Sequence, residues 1–184
     1  MKVLPLLALA ASAALAIGAD SHDEAGQELA RQANHREYSA RVSQLTSRLE
    51  SFIAEELVKK QGATEYPPAR RYLMRDLDGD KKDDLLLITT FEPLSEGNHH
   101  DGYLFAVLSS RPQEVQQLVI GGRGWRDADH FEENATRLFL HFKVWAESDA
   151  QCCPSLATTE EIIFEKGRVV LRPFDEIRRK GQGW

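Results

Sequence analysis

Asp76-Leu77-Asp78-Gly79-Asp80-Lys81-Lys82-Asp83-Asp84, followed at once by Leu85-Leu86-Leu87-Ile88, is the stretch on which the reading of this 184-residue chain turns. Its five aspartates lie within nine residues and repel one another unless a cation or generous solvation offsets the charge. Asp at the first, third, fifth and ninth places, with Gly at the fourth, suits a hard cation that takes several oxygen ligands. Calcium is the expected ion. The apolar run behind the loop plants one of its ends in a β-sheet. A competing reading is a solvated acidic hairpin turn, with Lys81 and Lys82 as internal counter-ions.

The loop is not an EF-hand, because Lys81 stands where that motif needs Gly and Leu87 stands where it needs a bidentate Glu. It resembles instead the D-x-D-G-D-x-x-D-D loop of FG-GAP repeats, the calcium loops of integrin-type propeller blades. That resemblance implies calcium held by Asp76, Asp78, Asp80, Asp84 and the backbone carbonyl of Lys82. Lys81 departs from the pattern, since the family carries Gly there. A residue with a β-carbon is disfavoured at positive φ, which implies weakened affinity. No repeat of roughly 40–50 residues is present, so the propeller fold is not carried over with the loop.

At this length one domain is the natural expectation. Lys2 opens an apolar run from Val3 to Ile17 that reaches small residues at Ala16, Gly18 and Ala19. This pattern is a secretory signal peptide over residues 1–19, cleaved after Gly18 or Ala19. The run is shorter than the ~18–20 residues that span a bilayer, and no later stretch is apolar enough to do so. No cysteine lies near the cleavage site to carry a lipid. The expected location is periplasmic or secreted, without membrane insertion once the signal is removed. The remaining chain holds 22 Lys and Arg against 29 Asp and Glu, a balance that argues against nucleic acid and anionic membranes as partners. Residues 176–184, including Arg178-Arg179-Lys180, read as a flexible tail.

Residues 20–35 are polar and small and read as a flexible lead-in to a single domain over 36–175. A helix follows over 36–61. Tyr38, Val42, Leu45, Leu49, Phe52, Ile53 and Leu57 recur at spacings of three and four and form one apolar face. Lys59 and Lys60 suit the negative end of the helix dipole, and Gly62 supplies a stop. Heptads are not sustained long enough for a coiled coil, so a helix laid across a sheet is expected, and a monomer. Tyr66-Pro67-Pro68 reads as an extended linker.

Beyond the acidic loop the signature becomes β-type. Leu85–Phe91 and Tyr103–Leu108 are nearly continuous apolar runs, as in central strands covered on both faces. Val115–Ile120 is a further strand and Trp125–Glu132 a weaker one. In Thr136–Trp145, Leu138, Leu140, Phe142 and Val144 point one way while Arg137, Phe139, His141, Lys143 and Trp145 point the other. Thr158–Phe164 and Val169–Leu171 flank a hairpin at Lys166-Gly167. The fold class is therefore α+β: one amphipathic helix on a six- to seven-stranded, mainly antiparallel meander over 85–172.

Cys152 and Cys153 are the chain's two cysteines. In an oxidising compartment they pair with each other as a vicinal disulfide, a strained ring that closes no loop. A rigid structural turn is the leading reading. A redox-responsive switch or enzyme acting at this pair, a soft-metal site and an intermolecular bridge are the others. Asp76–Asp84, Gly121–Arg126 and the Asp149–Ser155 segment Asp-Ala-Gln-Cys-Cys-Pro-Ser together resemble a group of small exported bacterial proteins, whose LppP/LprE-type lipoprotein relatives share the C-terminal part. The resemblance implies no activity.

Catalytic motifs are absent. Gly121-Gly122-Arg123-Gly124 lacks the Gly-Lys-Ser/Thr ending of a phosphate loop, and no serine has a nucleophile-elbow context. His99-His100-Asp101 reads as a polar loop rather than a zinc or copper site. The sequence thus points to an exported, non-enzymatic, calcium-binding domain whose partner is another exported protein or an envelope glycan.

Overall fold

The computed structural model describes residues 20–60, 62–93, 99–150, 153–174 and 178–179, with side chains within 27–174. The expected signal segment 1–19 lies outside them. Two compact units, Met1–Ser39 and Ala40–Trp184, divide the chain.

In the first unit, residues 20–39 belong to helix α1 (Asp20–Lys59), and every side chain from Gln27 to Ser39 is exposed. The lead-in expected to be flexible over 20–35 is therefore helical. Glu28, Leu29, Ala30, Arg31, Gln32 and Ala33 are strong helix formers. Gln32 Nε2 donates to Glu28 Oε1 at 2.9 Å, and Arg31 lies 3.3 Å from Glu28. Where no face is packed, propensity and such i, i+3 and i, i+4 pairs decide, and low hydrophobicity is a poor guide.

In the second unit, α1 buries Leu45, Leu49 and Ile53 from the expected apolar face, with Phe52 and Leu57 half-covered beside them. Each fully buried aliphatic side chain contributes roughly 2 kcal/mol. Tyr38 stays exposed. The helix ends at Lys59, two residues before the expected 61, and Gly62 takes a φ of 94°, the left-handed stop that a β-carbon would strain.

The strands are β1 (Thr64–Glu65), β2 (Arg71–Arg75), β3 (Asp84–Glu92), β4 (Asp101–Val107), β5 (Val115–Gly122), β6 (Arg126–Glu133), β7 (Leu138–Val144), β8 (Leu156–Glu165), β9 (Arg168–Pro173) and β10 (Arg178–Arg179). They form one ten-stranded sheet, antiparallel at every pairing. The α+β class holds, but the strand count exceeds six to seven. The expected meander corresponds to β3–β9, and β1, β2 and β10 are additional. Tyr66-Pro67-Pro68 is not a plain extended linker: a 3-10 turn at Pro67–Ala69 separates β1 from β2, both paired to β3. Proline suits the first position of such a turn, where its missing N–H is not needed. Two residues of the expected tail, Arg178 and Arg179, pair with Ala157 and Leu156.

β3 and β4 are covered on both faces, as their unbroken apolar runs require. Leu85, Leu87, Phe91, Tyr103, Phe105 and Val107 meet the helix. The alternate residues Leu86, Ile88, Leu104 and Ala106 join Ile120, Leu138, Leu140, Phe142, Val144, Ile162 and Val169 in a second core. That second core draws on β3–β5 and on β7–β9, so the two halves of the sheet close over a shared interior. The corner lies between β5 and β6, which pair through Gly122 and Arg126. Gly121 is required there, because a β-carbon would stand 2.3 Å from the Arg126 carbonyl oxygen. Phe139, on the outer face of β7, is covered by Phe174 at 4.7 Å between ring centroids.

Candidate metal centre

The acidic stretch is the connection of the β2–β3 hairpin, closed by the pair Arg75↔Asp84. Asp76, Asp78 and Asp80 are half-buried and Asp84 is fully buried at the head of β3. Oxygens of Asp76, Asp78 and Asp84 lie within 4.8 Å of one another. Such an arrangement can hold a metal ion. Among the described residues this is the group of His, Cys, Asp and Glu whose ligand atoms converge in this way.

Side chains wrap the loop around itself. Asp76 accepts from the N–H of Gly79 at 2.8 Å and of Lys81 at 2.9 Å. Asp78 accepts from the Asp80 N–H at 3.2 Å, and Asp80 from the Lys82 N–H at 2.8 Å. Gly79 has a φ of 82° and Lys81 a φ of 66°. Lys81 therefore occupies the left-handed position that glycine fills without strain.

Asp84 does different work. One oxygen accepts from Leu77 N–H at 2.9 Å and the other from Ser109 N–H at 2.7 Å. It thereby ties the loop to the β4–β5 connection. Burial pushes the Asp84 carboxyl above its ordinary range, against the opposing pull of those two amide donors. Hydroxyls from the same connection complete the surroundings: Ser109 Oγ donates to Asp80 at 3.2 Å and Ser110 Oγ to Asp78.

Of the five expected ligands, the structure brings Asp76, Asp78 and Asp84 together. Asp80 is not in the converging group and is occupied by Lys82 N–H and Ser109. Ser109 and Ser110 were not foreseen. They lie more than two dozen residues away in the chain, and only the β3–β4 register, which pairs Leu85 with Val107, brings them to the loop.

The remaining candidates resolve as hydrogen-bonded structure. His100 Nε2 lies 2.6 Å from Asp127 Oδ1. His130 and His141 stack at 4.6 Å across β6 and β7, next to Asp129 and Glu132 respectively. Arg126 donates to Ile120 O at 2.8 Å and to Glu160 at 2.6 Å, and packs over the Phe142 ring. Asp149 Oδ2 accepts from the N–H groups of Ala146 and Ser155, each at 2.7 Å. Cys152 lies outside the described residues, so the expected Cys152–Cys153 pairing does too. Among the described residues no helix is long and apolar enough to cross a membrane.

No family model, curated protein or solved structure matches the chain.

Proposed function

We propose that this chain is an exported, non-enzymatic binding domain whose acidic hairpin is held by one calcium ion. The observation that carries the reading is the inward convergence of the Asp76, Asp78 and Asp84 carboxylates without a protein counter-charge. Lys81 and Lys82 are exposed, and the bonds they make to the loop among the described contacts come from their backbone N–H groups, Lys81 to Asp76 and Lys82 to Asp80. A cation supplies the charge that these lysines do not. The donor set is oxygen only, which suits a hard ion. Asp80, turning from Ser109, and the Lys82 carbonyl are the further ligands of this reading, and the ion ties the β2–β3 hairpin to the head of β3. The pattern of residues 1–19 supports export, and an exported protein or an envelope glycan is the partner class.

The test is thermal melting in calcium and in chelator. Calcium at about 100 times its Kd adds about 2.7 kcal/mol, a rise of roughly 5–10 °C for a chain of this size. Asp78→Ala leaves melting in chelator almost unchanged, because its described contacts are the Asp80 N–H and Ser110 Oγ, and it abolishes the calcium shift. A wild-type chain that melts identically with and without calcium would remove the reading.

A further inference from the structure

Two sequence pieces left without a function approach one another at one corner of the fold: Arg123 and Gly124 line the same cavity as Asp149, the first residue of the C-terminal piece. Arg123 N–H donates to the His100 carbonyl at 3.3 Å, and Trp145 N–H to the Trp125 carbonyl at 3.3 Å. A cavity of about 590 Å³ opens there, lined by His99, Arg123, Gly124, Trp145, Glu147 and Asp149. That volume falls within the roughly 300–1,000 Å³ of small-molecule sites. The cavity beside Arg111 and Arg168, of about 250 Å³, falls short of it.

We infer that this cavity binds a neutral sugar unit of a glycan. Its walls mix the two signs: Arg123 and Glu147 both line it, and the Asp149 carboxylate is engaged by two backbone N–H groups. A charged ligand, of either sign, meets a like charge on the walls as well as an opposite one. A ring of hydroxyls, by contrast, finds donors and acceptors interleaved in His99, Arg123 and Glu147. Trp145 supplies the aromatic wall against which the apolar face of a sugar packs. Gly124 leaves open space where a β-carbon would stand, so the backbone itself is within reach.

Trp145 adds a second observation. Its Nε1 is the buried side-chain polar atom that lacks a hydrogen-bond partner among the described residues, and a buried donor left unmet is costly. The atom is closed off from water, so a ligand hydroxyl reaches it by shifting the 145–149 wall on entry. That shift is part of the inference.

The inference names a ligand for the binding role proposed above and rests on that role, though not on the ion. The experiment is calorimetric titration of the full chain with three neutral probes: maltotriose, cellotriose and N,N′,N″-triacetylchitotriose. Trigalacturonic acid and choline serve as charged controls. At least one neutral probe binds, and Glu147→Gln or Trp145→Phe weakens it about tenfold at unchanged melting temperature. Glu147 is exposed, so its variant folds whether or not the tryptophan variant does. Binding persists in chelator and in Asp78→Ala, which separates a failure here from a failure of the calcium reading. The inference is overturned if no neutral probe binds up to ~10 mM, if only a charged control binds, or if neither variant weakens binding.

Discussion

Replacing Arg70 by methionine tests how α1 is fastened to the sheet. The Arg70 guanidinium donates to both oxygens of Glu65 in β1, to both oxygens of Glu50 in α1 and to the Tyr72 hydroxyl. Thr89 donates in turn to Glu65. Side-chain exposure is 21% for Arg70, 9% for Glu65 and 42% for Glu50. The two pairs therefore count unequally. The Glu50 pair is solvent-screened and contributes about 0.5 kcal/mol. Removing Arg70 also strands the Glu65 carboxylate with Thr89 as its described partner. Stranding one partner of a fully buried pair costs about 3–5 kcal/mol, and partial exposure brings this to about 2–3 kcal/mol. The sum is about 3 kcal/mol, a fall in Tm of roughly 6–12 °C. Arg70→Met/Glu65→Gln removes the stranded charge and recovers most of the loss, so a double-mutant cycle gives a coupling of about 1.5 kcal/mol or more. The pH dependence follows from Glu50, whose carboxyl the Arg70 hydrogen bond holds below its ordinary range against the effect of burial. A depressed carboxyl stabilises the fold above its unfolded pKa and ceases to as pH falls through the folded value. The gap between wild type and Arg70→Met therefore narrows as pH falls through and below the ordinary carboxylate range. Urea unfolding at neutral and acid pH reads both effects. A single-variant cost under about 0.5 kcal/mol, or strict additivity in the cycle, would refute the reasoning.

Two further pairs of substitutions separate backbone geometry from side-chain chemistry. Gly121→Ala forces a β-carbon to within 2.3 Å of a backbone oxygen and opens the β5–β6 corner, at a cost of about 3 kcal/mol or more. Gly124→Ala, at φ 76° with open space around it, costs about 1 kcal/mol; equal urea midpoints for the two would contradict this. Lys81→Gly relieves a left-handed residue, and after the added freedom of the unfolded chain is subtracted it raises stability by about 0.5 kcal/mol. Lys82→Gly, at a residue without positive φ, lowers it by about 0.5–1 kcal/mol. Thermal melts in chelator that order these two the other way would show that the lysine side chains govern the loop.

What was legible in the sequence follows the strength of the periodic signal. The helix face gave Leu45, Leu49 and Ile53 because three apolar residues one turn apart have few other uses. The unbroken runs of β3 and β4 announced burial on both sides, and the alternation in β7 gave its inward set correctly. β1, β2 and β10 carried no comparable signal. They are two, five and two residues long, and four of their nine residues are Arg. They are strands because β3 and β8 offer them unpaired edges, a tertiary cause that no local pattern records. The same holds for the site. The carboxylate spacing was visible, but Ser109, Ser110 and the clamping role of Asp84 depend on the register between β3 and β4. Gly121, visible as part of a glycine run, proved to be needed for a close approach of two backbones.

The placement of the acidic loop bears on why a cation suits it. A hairpin connection that needed only solubility would turn its aspartates outward, since an exposed carboxylate keeps its hydration at no cost. Here Asp76 and Asp78, both half-buried, converge on Asp84, which is fully buried. Its two oxygens are committed to amides from two different segments. Those amides define where the carboxylate stands but bring no net charge, and Asp78 raises the Asp84 carboxyl further by repulsion. The geometry is thus fixed by neutral donors while the charge remains to be met. Protonation of Asp84 meets it in acid, and at neutral pH the ion proposed above would meet it. Because burial holds this carboxyl above its ordinary range, its ionisation costs the ion-free fold stability as pH rises through the folded value. The stabilisation by calcium should accordingly grow with pH across that interval and fade below it. A melting shift that is the same in acid and at neutral pH would place the ion somewhere other than at Asp84.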